Sequence, residues 1–179
     1  MPQSARHETR DTKHETRNTI IYPAAFGGKK NQSLLVDAFA SLAGEFPDWT
    51  LELYGGGRIP EALPSNVKAM GFCDDLSDAY ARCAFLAFPS LDEGFPLTVV
   101  DAAAFGKPAV MVNDWVGSAA AGGGIVVGKS VAEYAGGLRR LMSDPALCSR
   151  MGEVARDFCA KAYSREKILD AWEALFSQL

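Results

Sequence analysis

The sequence predicts a doubly wound, Rossmann-like α/β domain with a mostly parallel sheet of about six strands and helices on both faces. The first observation is that short apolar segments alternate along the chain with segments of helical periodicity. The second is that the apolar segments, such as AFLAF at 84–88, have no polar residues at alternate positions. Such segments are typical of parallel strands buried on both faces. Sheets of this kind bind ligands at the carboxyl ends of their strands, where the strand order reverses.

Each element follows from its local pattern. The expected strands are short and rich in β-branched and aromatic residues, and they cover 19–23, 49–54, 67–70, 84–88, 109–112 and 125–127. The expected helices repeat apolar residues every three or four positions, and they cover 31–46, 76–83, 96–105, 131–142, 145–162 and 165–178. Gly106 and Pro108 close the helix at 96–105.

Composition excludes several classes of protein. The 179 residues are 48% hydrophobic and 22% charged, which suits one globular domain with a full core. A net charge of −4 argues against a nucleic-acid partner, and no apolar run is long enough for a membrane span or a signal peptide. The four cysteines show no C-x-x-C spacing. We therefore expect reduced thiols, a cytoplasmic location, and neither a metal site nor another cofactor.

The first 18 residues differ from the rest of the chain. They include most of an imperfect seven-residue repeat, HETRDTK followed by HETRNTI, which covers 7–20 and has no apolar position before Ile20. This predicts a disordered polar tail at 1–18 and one folded domain at 19–179. Both histidines, His7 and His14, lie in the tail. A folded domain without histidine argues against Ser-His-Asp catalysis and histidine-ligated metals.

The segment SLDEGFPLTVVDAAAFGKP, at 90–108, predicts a helix that begins without a cap. Pro96 suits the first helical position, but Phe95 before it has no side-chain acceptor for the first N–H groups. A helix start that follows a glycine turn at the end of a buried strand can bind an anion. Water, or a carboxylate of Asp92 or Glu93 folded back onto the helix, could instead satisfy those N–H groups.

Asp101 lies in the middle of the same helix, among residues that are otherwise apolar. An apolar helix is expected to be buried, and a buried carboxylate requires a partner. Thr98 is three positions earlier on the same face, so the helix carries a narrow polar stripe that leads back toward Glu93. A pocket for hydroxyl groups would explain the stripe, as would a structural hydrogen bond to a neighbouring loop.

A second strand–glycine–helix segment, AAFGGKKNQSLLVDAF at 24–39, places Lys29 and Lys30 just before a helix. Cations are unfavourable at that end of a helix, unless an anion lies between them and the helix. Two solvated surface lysines are the alternative. Neither G-x-x-x-x-G-K-[ST] nor G-x-G-x-x-G is present. The glycines at 55–57 also follow a strand and permit either the close approach of a ligand or a flexible turn.

Taken together, these segments resemble the C-terminal, donor-binding domain of GT-B glycosyltransferases, in the large retaining family 4. The resemblance runs from about Ile20 to the end of the chain. It rests on KNQ followed by LLVDAF, on LELYGGG, on VKAMGF with DDLSDAYARCAFLAFPS, on EGFPLTVVDAAAFGKPAV and on MSDPALCSRMGEVARDF. EGFPLTVVD resembles the family's E-x7-E signature.

The resemblance implies roles for individual residues. Lys30 resembles the lysine that contacts the donor diphosphate. Glu93 resembles the first signature acid, which positions hydroxyls of the donor sugar. Lys30 and Glu93 are therefore the two catalytic candidates. Asp101 stands at the second signature position, whose glutamate reaches the ribose. The other implied substrate-binding residues lie in loops that would face the sugar, the phosphates or the base, and they are Lys29, Gly94, Phe95, Pro96, Leu97, Thr98, Gly71 and Phe72.

This sequence also departs from the family pattern. Ala25 stands where many members have an arginine on the diphosphate, a role that Lys29 would partly fill. Asp101 is one methylene shorter than glutamate. The segment NDWVGSAAAGGG is short and lacks the usual glutamate. We also expect that residues 1–18 do not form the N-terminal acceptor domain of the family.

The resemblance implies the donor half of a retaining hexosyltransferase, which binds a nucleotide-diphosphate sugar and is inactive without an acceptor domain. In that reaction the leaving phosphate takes the acceptor's proton on the same face of the sugar. The alternative is a truncated or partnered GT-B-like binding module whose nucleotide site has decayed. A GT-B-like epimerase is a third hypothesis, which the missing histidine and the E-x7-D pattern oppose.

Overall fold

In a computed structural model, which describes residues 18–58 and 62–178, six strands form one sheet in the order β3-β2-β1-β4-β5-β6. The strands are β1 (Thr19–Pro23), β2 (Thr50–Tyr54), β3 (Val67–Gly71), β4 (Phe85–Phe88), β5 (Ala109–Met111) and β6 (Gly124–Val126). All neighbouring strands are parallel. The predicted Rossmann-like α/β fold is therefore confirmed.

Six α-helices connect and cover these strands. They are α1 (Gln32–Ala40), α2 (Ser77–Arg82), α3 (Leu97–Ala104), α4 (Val131–Ser143), α5 (Pro145–Ala162) and α6 (Arg165–Phe176). Right-handed crossovers put α1 on one face of the sheet and α2 and α3 on the other. Helix α4 packs on α1, and α5 contacts both α3 and α4. No helix of the described part of the chain has the length and hydropathy needed to cross a membrane.

The core is built around the central strands. All five residues of β1 are buried, because β2 and β4 flank the strand and helices cover both faces. Ile20 lies opposite Leu51 of β2 on one side and Phe85 of β4 on the other, and all three side chains are fully buried. Of the edge strands, β3 is largely exposed and β6 is partly buried. All four cysteines are free thiols, and only Cys73 is exposed.

Some elements differ from the sequence-based expectation. Helix α1 ends at Ala40 rather than at 46, because i→i−3 bonds such as Leu42 N–H to the Phe39 carbonyl (3.0 Å) tighten the chain into turns. Ser41 adds a side-chain bond to the Ala38 carbonyl (2.7 Å) that competes with the helical pattern. The expected disordered tail at 1–18 lies outside the described residues except for Asn18, which is exposed.

The strand order places one crevice at the carboxyl edge of the sheet. From β1 the chain crosses toward β2, whereas from β4 it crosses toward β5 on the opposite side. The loops that follow β1 and β4 therefore diverge from adjacent strands and leave a gap between them. These loops, at 24–31 and 89–96, contain both glycine turns selected from the sequence.

Candidate functional site

Two ion pairs join the diverging loops, and we call them the switch-point pairs. The Lys30 Nζ lies 2.5 Å from the Glu93 Oε1, and the Lys29 Nζ lies 2.6 Å from the Asp92 Oδ2. The first pair is the more protected, with side-chain exposures of 32% for Lys30 and 11% for Glu93, against 76% and 62% for Lys29 and Asp92. The sequence thus identified two catalytic candidates that are 63 positions apart and in direct contact.

A buried tyrosine holds the two loops in place. The Tyr22 hydroxyl, at the end of β1, donates to the Lys30 carbonyl (2.8 Å) and shares a hydrogen bond with the Ser90 Oγ (2.9 Å). Tyr22 and Ser90 are almost completely buried, and burial raises the pKa of the Tyr22 phenol so that it stays protonated. The Leu91 N–H also donates to the Lys29 carbonyl (2.9 Å). Sequence reasoning missed Tyr22 and Ser90, although each lies at the carboxyl end of an expected strand.

The lysines lie on a short 3-10 turn, Gly28–Lys30, ahead of α1. Asn31 follows in the left-handed region, with φ 53°, and no side chain caps α1. Gln32 is buried and bonds to the loop on both sides, accepting from the Gly27 N–H (3.4 Å) and donating to the Ala25 carbonyl (2.9 Å). The ammonium groups of Lys29 and Lys30 are therefore fixed in front of an uncapped helix.

The start of α3 confirms one part of the expectation and corrects another. No side chain caps the helix, so the alternative with Asp92 or Glu93 folded back onto it is wrong; both carboxylates bond to lysines instead. The helix begins at Leu97, and Pro96 is its N-cap residue rather than its first residue. The Leu97 N–H is already bonded to the Phe95 carbonyl (3.1 Å), which leaves fewer free donors than the sequence suggested.

Asp101 is exposed, not buried, which corrects the expectation from the apolar sequence around it. Helix α3 buries only Val99, Ala102 and Ala103, and Leu97 is 65% exposed. The carboxylate of Asp101 makes no hydrogen bond or ion pair with any described residue, so the alternative of a structural bond to a loop is not found there. Nearby protein atoms still displace enough water to raise the pKa of Asp101.

A cavity of about 260 Å³ opens beside the switch-point pairs, at the carboxyl ends of β1, β2 and β3. We call it the carboxyl-edge cavity. Two of the predicted substrate-binding residues, Phe72 and Thr98, line it, and Ala25 and Gly56 lie on its rim. The Phe72 side chain is 77% exposed. Neither the switch-point residues nor Asp101 contributes to its wall.

The glycines after β2 do not have equivalent roles. A Cβ on Gly55, whose φ is +141°, would collide with the Ala24 carbonyl oxygen, so this glycine permits the loops after β1 and β2 to pack together. The Phe26 N–H then bonds to the Gly56 carbonyl (2.8 Å). Neither expected role, ligand approach nor a flexible turn, explains Gly55. Gly56 has open space above it and remains available to a ligand.

The other predicted loop residues lie at the same edge of the sheet. Gly71 ends β3 with φ +75° after a register irregularity in the β2–β3 pairing, and its carbonyl accepts from the Gly55 N–H (2.8 Å). A Cβ on Gly94 would meet no atom within 4 Å. Phe95 is 50% exposed and makes an edge contact with Tyr163, with ring centroids 5.5 Å apart. The loop that carries Glu93 is thus supported from the end of α5.

A larger cavity, about 310 Å³, lies at the opposite, amino edge of the sheet and contains none of the predicted site residues. Size therefore does not select the candidate site. We select the carboxyl edge because it combines the strand-order reversal, two uncapped helix starts and two lysine–carboxylate pairs. The pairs sum to no net charge, so an anion there would depend on lysine donors and backbone N–H groups.

Comparison with known proteins supplies an independent identification. The sequence profile of the family Glycosyl transferases group 1 matches residues 4–158. The chain is 29% identical to an exopolysaccharide phosphotransferase of Streptomyces coelicolor, in an alignment that covers 92% of this chain and 19% of that protein. It is also 29% identical to an uncharacterized glycosyltransferase of Haemophilus influenzae, in an alignment that covers 88% of this chain and 48% of that protein.

Solved structures with the same fold are GT-B glycosyltransferases. The chain matches TarM with a TM-score of 0.80 and 19% identity, over 90% of this chain and 35% of that one. It matches Anabaena HepE in complex with UDP and glucose with a TM-score of 0.79 and 21% identity, over 92% of this chain and 49% of that one. The chain therefore spans between about a fifth and half of the length of these relatives. Since the family profile covers most of the sequence, this chain belongs to the group 1 glycosyl transferases.

Proposed function

We propose that residues 19–179 are the C-terminal, donor-binding domain of a retaining, family 4 type GT-B glycosyltransferase that transfers a hexose from a nucleoside-diphosphate sugar. The observation that carries the proposal is the contact between Lys30 and Glu93 at the strand-order reversal. One residue supplies a cation for a diphosphate, and the other supplies a carboxylate for sugar hydroxyls. Their common position lets one ligand engage both.

Lys30 can serve a ligand without releasing Glu93. An ammonium group has three N–H donors, and Glu93 accepts one of them. In the proposed complex another donor reaches the diphosphate, while the start of α3 adds the partial positive charge of its first turn. These groups would stabilise negative charge that develops on the leaving diphosphate.

The proposed reaction needs no base from this domain. The bond between the anomeric carbon and the diphosphate oxygen breaks, and a bond to the acceptor hydroxyl oxygen forms on the same face of the sugar. The acceptor's proton passes to the leaving diphosphate. Glu93, at 11% exposure, would fix the sugar's orientation, together with the backbone of the Gly94–Leu97 loop.

The nucleoside would occupy the carboxyl-edge cavity. Phe72 and Gly71 would contact the base, and Thr98, in the first turn of α3, lines the cavity wall. Asp101 follows Thr98 by one helical turn, so its carboxylate would reach toward the ribose from outside the present cavity. The binding of UDP and glucose by HepE, a protein of the same fold, supports this class of donor.

We also infer that an acceptor domain completes the enzyme. Helix α6 buries none of its residues, and its apolar side chains recur at helical spacing: Ile168, Leu169, Trp172, Leu175 and Phe176, which are 44–62% exposed. Such a face needs a cover. The relatives are two to five times longer than the matched region. We infer that an acceptor domain, which would lie in such an additional region, covers the apolar face of α6. The free thiols of Cys83, Cys148 and Cys159 suit a cytoplasmic protein.

The alternative function is a binding module with a decayed nucleotide site. It is favoured by Ala25, which stands where many members of the family have an arginine, and by the net neutrality of the two switch-point pairs. Both proposals agree that this chain alone does not transfer sugar. They differ in whether it binds a nucleotide.

Replacing Lys30 tests the proposal. Titration calorimetry with UDP, GDP and ADP should detect weak binding of at least one to the wild-type chain. Lys30→Ala should weaken that binding by about 1.5–3 kcal/mol, the range of a charged hydrogen bond. Lys161→Ala, on the exposed last turn of α5, is the matched control and should bind as wild type does. Unchanged affinity in Lys30→Ala would refute the assigned role, and no binding of any nucleotide would favour decay.

A gain-of-function variant separates the two proposals further. Ala25 is exposed at the rim of the carboxyl-edge cavity, so an arginine can be placed there without repacking the core. If the site binds diphosphates, Ala25→Arg should tighten the affinity about tenfold by adding a charge-assisted contact. Ala25→Gln, of similar length but uncharged, is the control and should bind like wild type. Equal affinities for both variants would show that no diphosphate lies near this rim.

A further inference from the structure

The larger cavity, about 310 Å³, lies on the side of the sheet where the strands begin, opposite the proposed donor site; we call it the amino-edge cavity. It is lined by residues that precede strands, such as Asn18, Ala84 and Lys107, and by the first turns of α5. Its volume is within the range of cavities that hold small organic molecules.

Two cations line the cavity, and neither forms an ion pair with a described residue. The Lys107 Nζ donates to the Cys83 carbonyl (2.8 Å), and the Arg156 Nη2 donates to the Phe105 carbonyl (3.2 Å). Burial lowers the pKa of Lys107, and the positive charge of Arg156 lowers it further. Two like charges close enough to disfavour each other are stabilised when an anion binds between them.

The structural bonds of these cations leave donors unused. An ammonium group has three N–H donors and a guanidinium has five, whereas each group makes one hydrogen bond among the described residues. The N-terminus of α5 would not bind the anion, because the Asp144 side chain caps this end by accepting from the Leu147 N–H (2.8 Å). The affinity for an anion would therefore come from Lys107 and Arg156 themselves.

The rest of the wall determines what the anion is attached to. Trp49, Phe105, Leu141 and Pro145 provide an apolar surface, and the exposed Ser149 hydroxyl lies among the lining residues. Two cations bind a group of nearly two negative charges more favourably than they bind a single carboxylate. A phosphate monoester carries between about −1.5 and −2 at pH 7.

We propose that the amino-edge cavity binds a small organic phosphate monoester, with its phosphate between Lys107 and Arg156 and its organic part against Trp49 and Phe105. The occupant is distinct from the sugar donor in position and in chemistry, since it needs no nucleoside. Phe105 also stacks on Tyr80, with ring centroids 5.5 Å apart, so the bound molecule would lie against the end of α3 that is farther from Glu93.

Phenyl phosphate is a suitable probe, because it combines a dianion with a flat apolar body that fits this volume. Calorimetry on the full chain should show binding that exceeds that of inorganic phosphate and of phenol. Arg156→Gln and Lys107→Gln should each weaken the binding of phenyl phosphate about tenfold or more. Arg150→Gln, on the same helix but outside the cavity, is the matched control and should leave the affinity unchanged.

Competition and folding controls make the result decisive. Saturating UDP should not displace phenyl phosphate, and Lys30→Ala should bind it as wild type does. Because Lys107 donates a hydrogen bond to the Cys83 carbonyl, the Lys107→Gln variant could fail to fold. In that case the test rests on Arg156→Gln, since Arg156 is exposed. Circular dichroism measures whether each variant is folded. Wild-type affinity in Arg156→Gln, displacement by UDP, or no binding at about 10 mM would each overturn the proposal.

Discussion

Two groups of charged residues hold this domain together in different ways. The buried cluster, Glu52, Tyr54 and Arg82, joins β2 to α2: Arg82 donates to both Glu52 oxygens (3.0 and 2.7 Å), and the Tyr54 hydroxyl adds a third bond (2.7 Å). In each switch-point pair, in contrast, a single contact joins the two side chains, at 2.5 Å for Lys30–Glu93 and 2.6 Å for Lys29–Asp92. The ion pairs of the two groups are therefore of similar length, but the charged side chains of the buried cluster make more hydrogen bonds to other residues than those of the switch-point pairs do.

The difference shows which contacts serve the fold and which are available to a ligand. In the buried cluster each Glu52 oxygen is occupied, and that carboxylate is 9% exposed. At the switch point, lysine donors and carboxylate oxygens remain open to solvent beside two uncapped helices. A short ion pair that leaves donors free contributes little to stability, but it keeps charged groups in position for a ligand.

The largest effect is expected from Arg82→Met. Removing one partner of a buried pair leaves the Glu52 carboxylate without compensation, which typically costs about 3 kcal/mol or more. Denaturant titration at pH 7 should show a loss of this size in the free energy of unfolding. The double variant Glu52→Gln with Arg82→Met should lose less, because no buried charge is left. A single variant as stable as wild type would show that the cluster is not structural.

The pH dependence of the same variant provides a second measurement. Burial alone would raise the pKa of Glu52, but hydrogen bonds from Arg82 and Tyr54 outweigh it and lower the pKa below its ordinary value of 4.5. A lowered carboxyl pKa stabilises the fold above pH 4.5, and this contribution disappears as the pH falls through the folded-state pKa. The gap between wild type and Arg82→Met should therefore narrow under acidic conditions.

Sequence reasoning located the elements that are specified by local chemistry. Helix α5 was predicted with its observed bounds, because Asp144 caps it, Pro145 suits its first turn and its apolar positions have helical spacing. Strand β1 was predicted with equal accuracy from five residues that are buried on both faces. Lys30 and Glu93 were selected as catalytic candidates from the family resemblance; each follows a strand and precedes a helix, and the sheet order brings them together.

The remaining features depend on partners distant in sequence. The bond between Tyr22 and Ser90 requires β1 and β4 to be neighbours, which no local pattern specifies. The environment of Asp101 was mispredicted because an apolar helix is buried only where another element covers it, and one face of α3 is uncovered. Roles of Thr98 and Asp101 toward a substrate stay predictions.

Asp101→Asn should produce a smaller effect of opposite sign. Desolvation raises the pKa of Asp101 above its ordinary 3.8, so the ionised form is less favourable in the folded chain than in the unfolded one. This penalty is present above the folded-state pKa and absent below 3.8. The variant should be slightly more stable than wild type at pH 7 and equal to it at about pH 3.

Asp157→Asn, on the exposed side of α5, is the control for that measurement and should leave the unfolding free energy unchanged. A variant at position 101 that is less stable than wild type at pH 7 would show that Asp101 has a favourable partner. In that case Asp101 would belong with the charged groups that are hydrogen-bonded within the fold, and not with those that are free to engage a ligand.

The smallest effect is expected from Lys29→Met, and it addresses the contrast most directly. The N–O distance of the Lys29–Asp92 pair is as short as any hydrogen bond given for the buried cluster. Each partner favours the charged form of the other, so the pKa of Lys29 is raised and the pKa of Asp92 is lowered. Yet both side chains are mostly in water, where solvent and salt screen the attraction and side-chain entropy opposes it. The change in unfolding free energy should be too small to resolve by denaturant titration, at low and at high salt. A clear, salt-sensitive loss would mean that the loops after β1 and β4 are fastened by this pair. The switch point would then be a closed structural contact, like the buried cluster, rather than a set of charges that a ligand can engage.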